Sequence, residues 1–306
     1  MAEPAPLPRV CIGIATRARR RGLARLLESL EAQDYAGAYR VCVVDNDPAR
    51  SAGWVERDSH SLEITYVHES QVGIPHARNA VVDALHAEDD ALVFIDDDEV
   101  ARPDWLRHLV SAWQHHRSDG VTGPVEPYFP ERPPRWVKEG GFFARRELPT
   151  GTRVSEAYTH NLLLSRTLVD QLRPLFDARM ALRGGSDAHL AGRLERAGAT
   201  IVWCQEAVCV EWVPRSRTTA EWLVRRSFRQ GANRAFIERD LGTLRVPGWW
   251  LALGAAKVGV GGLSMLRDGR THHGRIRSLR SMAYGVGLIA GSARLRYDEY
   301  DSVHEV

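Results

Sequence analysis

The chain has 306 residues, 44% of them hydrophobic and 26% charged. That is room for one large α/β domain with an appendage, and so ordinary a balance excludes a disordered or fibrous chain. The net charge of +2 conceals an asymmetry: residues 213–306 hold 16 Lys and Arg against 8 Asp and Glu, a balance of +8, which leaves the rest at −6. A basic C-terminal third on an acidic body points to an anionic surface as partner. Trp249 and Trp250 beside the apolar run 251–256 favour a membrane interface. Nucleic acid is not expected, because the interleaved aromatics of a base-stacking sheet are missing. The four cysteines, Cys11, Cys42, Cys204 and Cys209, have no CxxC spacing and read as reduced, with Cys11 and Cys42 buried in strands. Residues 1–8 are proline-rich and lack the apolar run of a signal peptide, so a cytosolic location is expected.

Apolar strand runs alternate with helical patterns through the first half. Residues 10–15 predict a strand, and 19–33 a helix with Leu23, Leu26, Leu27 and Leu30 on one face. Strands follow at 41–45 and 64–67, then a helix opening at Pro75, a good first-turn residue. A fourth strand is predicted at 92–96, and Pro103 introduces a helix over 104–116. This β-α-β-α alternation argues a doubly wound, mostly parallel sheet. Residues 124–149, rich in proline and aromatic side chains, read as a long ordered loop over the sheet. Short strands are expected at 162–164, 201–203 and 207–213, with a helix over 187–197 capped by Ser186 or Asp187. Beyond Thr218 the chain turns helical. The glycine-rich apolar stretch 247–266 is about as long as the ~20 residues a spanning helix needs, but its weak hydrophobicity predicts a segment lying on a membrane surface.

The most informative stretch is Leu92-Val93-Phe94-Ile95-Asp96-Asp97-Asp98-Glu99, where four apolar residues run into four acids. A buried strand would carry those acids to its carboxyl end, where open α/β sheets place their ligand sites. Crowded carboxylates repel one another, and a hard divalent cation brought with a phosphorylated ligand would relieve them. Three further clusters fall where a nucleotide would need them: Thr16-Arg17 past the first strand, Asp45-Asn46-Asp47 past the second, and Gly73 with Arg78 around the helix before the acidic strand. Each also suits a local role, as turn cap or ion pair. No G-x-G-x-x-G follows the first strand and no P-loop occurs, which removes dinucleotide dehydrogenases and P-loop enzymes.

In order and spacing, Thr16-Arg17, Val44-Asp45-Asn46, Ala77-Arg78-Asn79, Phe94 to Glu99 and Gly184-Gly185-Ser186-Asp187 resemble the family-2 inverting glycosyltransferases of GT-A fold, nearest the succinoglycan-type bacterial exopolysaccharide glucosyltransferases. Gly123-Pro124-Val125, Pro134-Arg135-Trp136, Asn161-Leu162-Leu163 and the arginine-bearing stretch 211–231 extend the resemblance. It implies a GT-A domain over 8–240 and a helical, membrane-associating region over 241–306. It implies that Thr16, Asp45 and Asp96 hold the uridine of a UDP-hexose, with Arg17, Asn46 and Asp97 beside them and Arg78 near the ribose or diphosphate. Asp98 would coordinate Mg²⁺ or Mn²⁺, and Asp187 would be the general base. Arg225 and Arg229, sharing a helix face, would meet a diphosphate of the donor or of a lipid-linked acceptor. Trp136, Asn161 and Ser186 would line the side of a saccharide acceptor, carried on a polyprenyl diphosphate at the inner face of the plasma membrane.

Two departures stand out. Ser186 replaces the glutamate usual before the base, and the Gln-x-x-Arg-Trp signature of processive synthases is absent, so single transfers are expected. The serine also leaves open a degenerate membrane scaffold. Asp96 to Val100 fits the D-x-D-x-[TV] pattern of aspartyl-phosphate phosphatases with Asp96 as nucleophile. That motif belongs on a first strand with a later lysine, and this chain has only Lys138 and Lys257.

Overall fold

The computed structural model describes residues 6–58, 61–155, 157–181, 183–242 and 248–292. The first half runs β1 (Val10–Thr16), α1 (Arg20–Glu31), β2 (Tyr39–Asp45), β3 (Ile64–His68), α2 (Ile74–Asp83), β4 (Ala91–Ile95), β5 (Glu99–Ala101) and α3 (Trp105–His116). Then come β6 (Gly120–Thr122), β7 (Val125–Tyr128), α4 (Arg135–Glu139), β8 (Asn161–Ser165), α5 (Arg166–Gln171), α6 (Ser186–Arg196), β9 (Ile201–Trp203) and β10 (Cys209–Trp212). Three long helices close the chain: α7 (Ala220–Asp240), α8 (Trp249–Asp268) and α9 (His272–Ser292).

The main sheet has the order β3-β2-β1-β4-β8-β6-β9. Its first four strands are parallel, as the alternation predicts. They are apolar throughout because both faces are covered. Side chains alternate across the pleat. On one side Ile12, Ile14, Val41, Val43, Val93 and Ile95 meet α1 and α3 through Leu23, Leu26, Leu30, Trp105 and Leu109. On the other, Cys11, Cys42, Val44, Leu92 and Phe94 meet α2, α5 and α6 through Val81, Val82, Leu168, Leu190 and Leu194. Each such leucine or valine contributes about 1.5–3 kcal/mol by leaving water. All four cysteines are buried and free.

The structure corrects the sequence reading in two places. β8 runs antiparallel to both β4 and β6. A short, fully buried apolar run looks the same in either direction, so its pattern carried no sign of the reversal. Residues 124–149 are not all loop: β7 and α4 lie within them, and β7 joins a second sheet of order β5-β10-β7. Pro127 fits there because β7 is an edge strand, where a missing N–H costs no ladder bond.

The C-terminal helices form a layer of their own. α9 lies along α7, and glycines set the closeness of that approach. A Cβ at Gly231 would sit 2.1 Å from the Tyr284 carbonyl oxygen, and one at Gly287 2.1 Å from that of Phe228. The boundary expected at residue 240 therefore falls between two packed helices. α8 is long and apolar enough by length and composition to cross a membrane, yet only 17% of its most apolar stretch is buried. Trp249, Val260, Leu263 and Leu266 are exposed along it, Leu266 to 84%. Pro247 and residues 293–306 lie outside the described residues.

One close approach aims the fold at its site. Gly22, on the first turn of α1, faces the acidic turn after β4, and a Cβ there would meet the Asp97 carbonyl oxygen at 2.4 Å. Gly22→Ala is expected to lower stability by about 1–3 kcal/mol despite alanine's better helix propensity, since backbone must move to admit the methyl group. Urea unfolding of the two proteins measures this; equal midpoints would show that α1 does not brace the turn.

Candidate active site

β4 ends at Ile95, and Asp96, Asp97 and Asp98 form the turn into β5 at the carboxyl edge of the parallel strands. Each carboxylate meets a guanidinium or hydroxyl brought from another element. Asp97 accepts from Thr16 Oγ1 at the end of β1 (2.8 Å) and from Arg19 just before α1 (2.7 Å). Asp98 accepts from the same Arg19 (3.2 Å) and from Arg217 (3.0 Å). Arg217 also holds Glu211 on β10 at 2.9 Å, and Arg145 closes on the other oxygen of Glu211. Glu211 stands opposite Glu99 in the β5–β10 register. Trp212 N–H donates to the Asp98 carbonyl at 2.8 Å, tying the turn to the second sheet.

Arg78 joins this cluster to α6. From α2 it donates to Asp96 Oδ1 (3.0 Å), Asp187 Oδ1 (2.7 Å) and Ser186 Oγ (3.3 Å). The side chains of Asp96 and Asp187 remain 39% and 31% exposed, while Arg78 itself is buried. Asp187 does not cap its own helix. The N-cap is Gly185 in the left-handed conformation, and the Asp187 carboxylate also accepts from Thr159 Oγ1 at 2.5 Å.

Among the described residues, six carboxyl groups (Asp96, Asp97, Asp98, Glu99, Asp187, Glu211) gather where four guanidiniums (Arg19, Arg78, Arg145, Arg217) hydrogen-bond them, with Arg226 within electrostatic reach of Glu211. Burial, reinforced by Asp98, pushes Asp97 up to about 6 against the pull of Arg19 and Thr16. Burial also raises Asp96, partly offset by Arg78, and raises Glu99 well above the carboxylate range with help from Asp96 and Asp98. His160, beside Asp96 and Asp187, is lowered by burial more than those acids raise it. Hard oxygen donors crowded in this way suit a divalent cation.

The structure brings together Thr16, Arg78, Asp96, Asp97, Asp98, Ser186 and Asp187 from the sequence expectations. Others are placed elsewhere. Asp45 is 0% exposed, and its oxygens take the N–H groups of Asp47 and Ala52 and the Tyr66 hydroxyl. It shapes the turn after β2. Asn46 spends its amide on the Glu69 and Gln71 carbonyls and accepts from Gly73 N–H, anchoring the start of α2 and so indirectly Arg78. Asn161, also 0% exposed, accepts from the Trp105 indole and donates to the Pro124 and Ala207 carbonyls, which ties β8 to its neighbours. Arg17 makes no ion pair among the described residues; Arg19, two positions on, takes the expected place. Arg225 faces solvent and pairs with Glu221, and Arg229 is half-buried on the same helix. Trp136 is half-buried against Phe142 and against His272 of α9.

Sequence reading missed Arg145, Thr159, His160 and the individual roles of Glu211 and Arg217. The last two lie in the arginine-bearing stretch that extended the resemblance. Nothing local marked Arg145 or Thr159, which reach the site only by folding. Among the described residues, the group whose ligand atoms lie close enough together to hold a metal ion is Asp177, His189 and Asp240, and Arg179 already bridges its two carboxylates.

A parallel-rich sheet with an acidic turn at its carboxyl edge, joined through Arg78 to Asp187 of a later helix, has the GT-A architecture of glycosyltransferases. The chain belongs to glycosyl transferase family 2, whose profile matches residues 11–173. It is 34% identical over 255 residues to the succinoglycan biosynthesis protein ExoM of Rhizobium meliloti (strain 1021), covering 81% of each chain. Among solved structures it is similar to the mannosyltransferase PcManGT of Pyrobaculum calidifontis in complex with GDP-Man and Mn²⁺. That match has a TM-score of 0.64 and 20% identity and covers 96% of this chain and 88% of that one. It is also similar to S. aureus TarS 1–349 in complex with UDP-GlcNAc, with a TM-score of 0.54, 15% identity, and coverage of 96% and 94%. These likenesses confirm the fold, and family membership makes the chain a glycosyltransferase.

Because Asp97 holds its proton more tightly folded than unfolded, cation-free stability falls as pH rises from the ordinary 3.8 through about 6. Asp97→Asn mimics the protonated form. The variant should melt above the wild type at pH 7.5, with the gap closing as pH drops below about 6. Melting curves across that range test it; a gap independent of pH would place the strain elsewhere.

Proposed function

We propose that this enzyme is an inverting, metal-dependent, non-processive hexosyltransferase that uses a UDP-hexose and a saccharide acceptor on a polyprenyl diphosphate. The observation that carries the reading is Arg78, one buried guanidinium spanning Asp96 and Asp187. It joins the acidic turn to the Asp187 carboxylate of α6. Asp98, backed by Asp97, would hold Mg²⁺ or Mn²⁺, which neutralises charge on a departing diphosphate.

The protein's own residues account for the rest. Arg19 and Arg217 keep the acidic turn folded despite its charge. Thr16 orients Asp97, and Asp96 presents its exposed carboxylate toward the nucleotide. Asp187 accepts the acceptor hydroxyl's proton as that oxygen attacks the anomeric carbon. One base and one displacement invert the configuration. Ser186, in the glutamate's usual place, accepts from Arg78 through its hydroxyl oxygen and leaves Asp187 as the carboxylate of that helical turn.

Asp187→Asn should lower transfer by about 10²–10⁴-fold while UDP affinity in Mn²⁺ stays unchanged. Metal-dependent release of UDP from UDP-glucose, UDP-galactose or UDP-N-acetylglucosamine reads the first, and titration calorimetry the second. Equal loss of both would make Asp187 structural, and absence of UDP binding by the wild type would favour the degenerate scaffold.

Peripheral attachment at the inner face of the plasma membrane rests on α8. Its exposed Val260, Leu263 and Leu266 lie near Lys257, Arg267 and Arg270, apolar and basic groups suited to an anionic bilayer. The triple variant Val260→Glu, Leu263→Glu, Leu266→Glu should leave anionic vesicles on sedimentation yet bind UDP normally. Continued co-sedimentation would exclude α8 as the anchor.

A further inference from the structure

Asp187 has two oxygens, and the fold treats them differently. Oδ1 accepts from Arg78 Nη1 at 2.7 Å and from Thr159 Oγ1 at 2.5 Å. A carboxylate oxygen has two lone-pair sites, so these donors fill Oδ1. No donor from the described residues reaches Oδ2, and the side chain is 31% exposed. The two contacts also come from different elements. Arg78 arrives from α2, whereas Thr159 sits just before β8, whose first residue, Asn161, pairs with Ile95 at the end of β4.

Thr159 is itself held firmly. It is buried, and Asn161, two residues on, is locked by three side-chain hydrogen bonds and by its N–H to the Tyr158 carbonyl (3.3 Å). A hydroxyl so placed has one proton to give, and it gives it to Asp187. This links the helix bearing the base to the strand edge bearing the acidic turn, so the base keeps its position relative to the donor site.

We propose that Thr159 is a positioning residue that, with Arg78, reserves Oδ1 of Asp187 for anchorage and leaves Oδ2 to take the acceptor's proton. The proposal rests on Asp187 being the base. In the step, the acceptor O–H bond breaks and its proton passes to Oδ2. The freed electron pair forms the bond to the anomeric carbon, and the anomeric carbon–oxygen bond breaks with its pair leaving on the nucleoside diphosphate. Without the Thr159 hydroxyl, Asp187 is held by Arg78 alone and can rotate about it, so Oδ2 spends less time on the line of proton transfer.

The test uses the full chain with the UDP-hexose that the wild type hydrolyses fastest, in Mn²⁺. Thr159→Val removes the hydroxyl at nearly constant shape, Thr159→Ala removes it with less bulk, and Thr159→Ser restores it. Both deletions should lower kcat by about 10²-fold, the size expected when a catalytic group is displaced by an ångström, with KM for the donor unchanged. Thr159→Ser should recover most of that loss. UDP affinity and melting temperature, measured on each variant, report whether the site is still folded. Wild-type kcat in both deletions, or a serine variant as slow as the valine one, overturns the proposal. Asp187→Asn, run alongside, separates the two claims: if it stays active, the assignment of the base has failed; if it is inactive while the deletions are not, only the role of Thr159 has.

Discussion

The structure is organised around an excess of negative charge at the end of β4. Burying carboxylates is expensive, and pairing them with arginine recovers only part of the cost. This protein nonetheless gathers six carboxyl groups at one sheet edge and supplies four guanidiniums from four separate segments. Arg19 precedes α1, Arg78 lies on α2, Arg145 precedes β8 and Arg217 follows β10. The burial and crowding of the acids show in the raised Asp97 and Glu99. Such a cluster weakens the fold locally, because each buried carboxylate gives up hydration that its partners only partly replace.

Much of the surrounding structure serves to hold that edge in place. Gly22 lets α1 approach the acidic turn, and the Trp212 N–H ties the turn to the second sheet. Asn46 secures the loop into α2, and Asn161 secures the start of β8. Asn46 and Asn161 look like ligand residues in the sequence because buried polar side chains and binding side chains are the same types. Their internal hydrogen bonds make both of them braces of the fold.

The layer of α7, α8 and α9 has a different logic. Glycines bring α9 against α7, while α8 keeps much of its apolar surface outside. α4 and Trp136 lean on this layer through His272, so the middle excursion of the chain contacts the C-terminal helices as well as the sheet.

The sequence by itself determined the parallel half of the sheet, because strands buried on both faces must be apolar and helices covering them must be periodic. It also determined the acidic turn, since an apolar run ending in four acids leaves little choice of where the acids go. Tertiary structure alone decided the direction of β8, which a symmetric apolar run cannot encode, and the second sheet, whose strands are only three or four residues long. It alone decided which arginines and hydroxyls reach the acids. Arg19 rather than Arg17, Arg217 rather than Arg225, and Thr159 with no local signal at all were chosen by packing. Charge compensation acts over ångströms in space between residues up to 119 positions apart in the chain.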